Sequence, residues 1–171
     1  MTTLNALLIA LQLAGAVPTP TPEAKTAVNA EEAFSQLKAM VGEWRPADDP
    51  ASPLRIRFYL TARGSVLVES WEARGKPHSL TLYHRDGAAL IATHYCPQGN
   101  QPRLALHGRD KNGLHFALRD ITDLDAATES HQHDLWIDPA GPKGPTRSEI
   151  YASKAGAGEV ERMRLVRTQD K

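Results

Sequence analysis

The chain has a single cysteine, Cys96, among its 171 residues. No disulfide can form within it, and a zinc site built on two or four of its own cysteines is excluded. It has no excess of charge: 20 Lys and Arg balance 20 Asp and Glu. That argues against nucleic acid as the main partner, because phosphate recognition needs a basic surface. It argues equally against a polybasic membrane anchor. Nor is there a membrane span, since the one long apolar run, Leu4 to Val17, is too short to cross a bilayer. Gly-x-Ser-x-Gly, the P-loop, Gly-x-Gly-x-x-Gly and His-Glu-x-x-His are all missing, so the commonest enzyme signatures are lacking.

The length suits one domain with a real core. The apolar run ends at Ala14-Gly15-Ala16, a small-x-small pattern that suits signal-peptidase cleavage. No Lys or Arg precedes the run, unlike most such peptides. Residues 1–16 are expected to be a signal peptide, and the mature protein periplasmic or secreted. Residues 17–30, with Pro18, Pro20 and Pro22, read as an extended linker. Residues 31–171 are the expected folded domain.

Asn29 is placed to cap a helix, with Glu31 and Glu32 in its first turn. Phe34, Leu37 and Val41 follow helical spacing, and Gly42 is expected to end the helix. Beyond it the pattern has period two. Leu54, Ile56, Phe58 and Leu60 alternate with Arg55, Arg57 and Tyr59. Further runs follow over 65–73, 78–96, 103–109, 114–120, 131–138, 147–153 and 159–168, separated by turn residues. A hairpin about Asp86-Gly87 would pair Tyr83 with Leu90. A strict two-residue turn near Asn112-Gly113 would put Leu106 on the wrong face, so a longer loop or a bulge is expected there, with Leu106 opposite Leu118. The fold class is all-β: an antiparallel up-and-down barrel of eight to nine strands with a short N-terminal helix. A flattened sandwich is the competing fold.

A short helix running into Gly42-Glu43-Trp44, then a meander, resembles the lipocalin-like (calycin) superfamily. The resemblance implies that a late basic residue packs over Trp44 at the closed end. Arg167, which shares a strand face with Met163 and Leu165, is the matching candidate. The segments Leu82 to Gly87, Thr93 to Cys96 and Gly99 to Arg103, with His131-Gln132-His133, are similar to small exported bacterial lipocalin-like proteins. The resemblance spans roughly Phe34 to Arg167. The chain departs from most lipocalins in lacking a helix after the barrel and a cysteine pair. Compact haem-binding barrels of the nitrobindin type place their ligating His near the C-terminus. The last His here is His133, so haem is not supported.

Seven histidines invite chemistry. His94 and Cys96 share one strand face, as do His131 and His133. Were those strands to meet across a barrel, the four side chains would suit zinc or copper. The same groups equally suit polar contacts to an organic ligand. Around the central hairpin the lining is either Leu80, Leu82, His84, Ile91, Thr93 and Tyr95, or Thr81, Tyr83, Leu90, Ala92, His94 and Cys96. Periodicity does not choose between them. Asn100, Gln101 and Arg103 form a turn that could also bind a carboxylate. Glu69 lies in an otherwise apolar strand; it is expected to face solvent or pair with a nearby Arg, with a buried acid as the alternative. The candidate ligand-binding residues are therefore Tyr83, His84, Thr93, His94, Tyr95, Asn100, Gln101, Arg103, His131 and His133. The expected function is to hold a small apolar or amphipathic molecule in the barrel. The alternative is a His-based isomerase, cyclase or hydrolase, with or without a bound metal.

Overall fold

The computed structural model describes residues 26–168. The expected signal peptide and most of the linker lie outside the described residues. Helix α1 (Ala30–Leu37) starts where the cap predicts: Asn29 Oδ1 accepts the Glu32 N–H at 2.8 Å. Its buried residues Ala30, Ala33, Phe34 and Leu37 fall on one stripe. A 3-10 turn over Lys38–Met40 follows.

Eleven strands come next: β1 (Gly42–Pro46), β2 (Leu54–Thr61), β3 (Val66–Ala73), β4 (Lys76–Asp86), β5 (Ala89–Tyr95), β6 (Gln101–Asp110), β7 (Gly113–Thr122), β8 (His131–Asp138), β9 (Thr146–Ser153), β10 (Gly156–Ala157) and β11 (Glu161–Arg167). Strands β1 to β9 follow one another antiparallel, and β11 inserts between β9 and β1. With β8 also paired to β9, the sheet closes on itself. The result is a closed antiparallel barrel rather than a sandwich. It has ten strands with β10 outside, not eight to nine. Strand β1 has five residues and ends on a proline, and β10 has two. Neither is long enough for alternation to register in the sequence.

Gly42 opens β1 instead of ending the helix. Its φ is +139°, and a Cβ there would run into the Arg167 guanidinium. Close approach is what this position requires of glycine. The guanidinium lies 4.4 Å from the centre of the Trp44 ring and donates to Val41 O at 3.1 Å. The Trp44 indole N–H donates to Met40 O at 2.6 Å. The expected Trp–Arg contact is therefore present, and it ties the helix exit to the last strand.

Three register features decide which side chains point inward. The hairpin turn is Gly87-Ala88, so Asp86 pairs with Ala89 and Tyr83 with Ala92, two residues away from the expected partner. A shift by two keeps every side chain on its face. At the β6–β7 hairpin a two-residue turn joins Asp110 to Gly113, and a bulge at His107 corrects the facing. Leu106 then meets Phe116 and Leu104 meets Leu118. The bulge was expected; the Leu106 partner is different. Another of the register shifts lies between Gln132 and Asp134. It breaks the alternation that would put His131 and His133 on the side of Leu135 and Ile137, and Gln132 turns inward instead.

The core fills the helix end of the barrel. Phe58, Leu67, Leu90, Leu114, Phe116, Leu135 and Ile137 are all buried there beneath Phe34 and Leu37. Before the helix, Thr26 exchanges two backbone hydrogen bonds with Arg109 at 2.8 and 2.9 Å. No helix among the described residues is long and apolar enough to cross a membrane.

Candidate functional site: a buried charge network inside the barrel

The inward face of the central hairpin carries Thr81, Tyr83, Leu90, Ala92 and His94, all buried. Across the barrel, β9 contributes Arg147, Glu149 and Tyr151, and β3, the neighbour of β4, contributes Glu69 and Trp71. Pairing explains this company. Glu69 lies opposite Thr81, Thr81 opposite His94, Glu149 opposite Leu135, and Gln132 opposite Tyr151.

Glu69 is fully sealed from solvent. Its carboxylate accepts three hydrogen bonds, from Trp71 Nε1 at 2.5 Å, Tyr83 OH at 2.5 Å and Arg147 Nε at 2.6 Å. Arg147 also reaches Glu149 Oε2 through Nη1 at 2.9 Å. Its guanidinium lies 4.6 Å from the centre of the Trp71 ring. Gln132 Nε2 donates to the same Glu149 oxygen at 2.7 Å. His94 completes the set, with Nδ1 2.9 Å from Thr81 Oγ1 and Nε2 3.3 Å from Tyr151 OH.

Burial and charge set the protonation states. Burial, reinforced by the Arg147 charge, draws the His94 pKa down to about 4, so its imidazole is neutral at pH 7. Burial pushes the Glu149 carboxyl up, but Arg147 and Gln132 more than reverse this and hold it below its ordinary value. Burial works against a charged Arg147, and Glu149 and Glu69 outweigh it. Burial and then Glu69 raise the Tyr83 phenol; burial and then Glu149 raise that of Tyr151. Both phenols are therefore hydrogen-bonding groups at neutral pH. The neutral His94, bonded to two hydroxyls, can accept or pass a proton.

The other candidates separate from this network. His84, Thr93 and Tyr95 point outward, and Tyr95 is 44% exposed. Asn100 is buried, but its amide donates to Glu129 Oε2 at 2.9 Å and Ser130 O at 3.1 Å, stapling two loops together. Gln101 accepts from Thr122 Oγ1 at 2.7 Å, and Arg103 pairs with Asp120 at 2.5 Å on the exposed side. Cys96 continues the inward face of β5 as a buried thiol, its pKa raised by that burial.

His133 turns to Asp134, with Nδ1 2.6 Å from its carboxylate, and the other oxygen of Asp134 is 2.5 Å from His115 Nε2. His115 in turn stacks on Trp136 at 4.3 Å. The four proposed metal ligands are thus not drawn together. Among the described residues, no group of three His, Cys, Asp or Glu side chains could hold a metal ion.

Sequence reasoning missed Arg147, Glu149, Gln132 and Tyr151 as functional candidates. Their one signal was Glu69, a carboxylate in an apolar strand. Four clefts of about 430 to 610 Å³ lie among loops, strand ends and the helix, and none of these four includes the network. Solvent reaches the network at its partly exposed members, Trp71, Glu149 and Tyr151. No protein-family model and no curated protein matches the chain.

Proposed function

We propose that this protein binds a small amphipathic molecule at the end of the barrel away from the helix. The observation that supports this most is the placement of Glu69, Arg147 and Glu149 inside the barrel. A buried ion network is weak as a stabilising device; well-packed apolar residues would serve as well or better. The helix end of the same barrel is filled in that apolar way. A ten-stranded barrel is also wider than an eight-stranded one, whose interior side chains just fill. The charged layer therefore serves to orient something, and Trp71 offers an apolar surface beside it. The earlier set of binding residues narrows to His94 and Tyr83, joined by Trp71, Gln132, Glu149 and Tyr151. Export to the periplasm or beyond would suit a carrier of this kind.

Native mass spectrometry of the chain purified from its own host tests this reading. An organic adduct released on unfolding supports it. A bare mass, with no rise in Tm across a small-molecule library, overturns it.

A further inference from the structure

Resting on that binding reading, we propose that the polar end of the barrel takes its ligand through a protonated amine or similar N–H donor and discriminates against carboxylates. A buried arginine in a barrel first suggests an anion site. Here Arg147 is already engaged: Nε bonds Glu69 and Nη1 bonds Glu149, and the side chain is only 3% exposed. Two carboxylates face one guanidinium, so the network holds one negative charge that no protein group inside it balances. His94 is neutral and does not change that count. A ligand carboxylate would add a second negative charge to a poorly solvated site.

The network also has acceptors to spare. Gln132 is sealed from solvent, and its Oε1 has no hydrogen-bond partner among the described residues. The amide is oriented by its Nε2 donating to Glu149, which aims the oxygen the other way. Both hydrogen bonds to Glu149 fall on Oε2, leaving Oε1 as a further acceptor. A buried acceptor without a donor is rare and costly. An ammonium group supplies three donors and the missing positive charge at once. Leu54, Trp71 and Met163, partly buried and packed on the core, offer apolar surface for the rest of the ligand.

The test is isothermal titration calorimetry of the whole chain at pH 7 with n-octylammonium and octanoate, two probes of equal length and opposite charge. The expected result is ammonium binding tighter by about tenfold or more, with Q132M losing about tenfold for the ammonium alone. Octanoate binding as tightly or more tightly overturns the amine assignment and leaves the binding reading standing. Binding of neither probe also overturns the amine assignment, and a bare native mass from the host then overturns the binding reading with it. Should Q132M fail to fold, the two probes on the unaltered chain still decide.

Discussion

Arg147 Nε lies 2.6 Å from Glu69 Oε1, 78 positions earlier in the chain, with both side chains buried. The pair bridges β3 and β9 through the barrel interior rather than along a hydrogen-bonded strand pair. Removing Arg147 would leave Glu69 and Glu149 buried without their cation. R147M should cost about 3–5 kcal/mol in urea unfolding. The double variant E69Q/R147M should cost less than the sum of the two single changes, because Glu69 is then no longer a buried charge without its cation, and only Glu149 is left without one. Additive losses would show that the two side chains do not depend on each other.

Tyr83 donates to the same carboxylate. Y83F keeps the ring packed edge-on against Phe116, 5.7 Å away, and removes only the donor. The expected loss is about 1–3 kcal/mol, the range for depriving a buried acceptor of its partner. A neutral result would mean that Trp71 and Arg147 satisfy Glu69 by themselves.

Gly42 and Arg167 are coupled through space. G42A places a methyl group against the guanidinium and forces alanine to a positive φ, for an expected cost of about 1–3 kcal/mol. R167A loses the contact with Trp44. In G42A/R167A the clash is gone, so the double variant should be more stable than additivity predicts. The backbone part of the penalty should persist.

Stability should fall as the solution is acidified. The His94 pKa is about 4 in the folded chain, against 6.5 ordinarily. Above pH 6.5 the imidazole is neutral in both states and contributes nothing to the pH dependence. Between 6.5 and about 4 only the unfolded chain takes up the proton, so folding is progressively penalised. The total is on the order of 3 kcal/mol. Glu149, held below its ordinary value, adds a further loss as the pH falls from the usual carboxylate range through its folded pKa. Urea unfolding from pH 8 to 4 measures the slope, and H94N should flatten the upper part. An unchanged slope in H94N would assign the pH dependence to other groups.

His131 and His133 lie apart from the network, and His133 is tied to Asp134. H131A/H133A should leave amine binding within about twofold and cost about 1 kcal/mol or less, as exposed or half-exposed ion pairs do. A large loss of binding would place the ligand at these strand ends instead.

Local chemistry made part of this protein legible in its sequence. Asn29 with Glu31 and Glu32 marks the helix start, because capping needs only neighbouring residues. The alternation from Leu54 to Leu60 marks a half-buried strand, because side-chain direction has period two. Turn residues between such runs led to an antiparallel meander, and Gly42, Trp44 and Arg167 to the contact that ties the helix exit to the last strand. Period two, however, has no sign: it separates two faces without saying which is inside. Only closure of the sheet chose Tyr83 and His94 over His84 and Tyr95. Bulges at His107 and between Gln132 and Asp134 then re-aimed side chains that strict alternation would misplace. The charge network depended on closure most of all. Glu69, Arg147 and Glu149 come together because β11 completes the ring and faces β3 with β9, a contact between distant segments that no local pattern encodes.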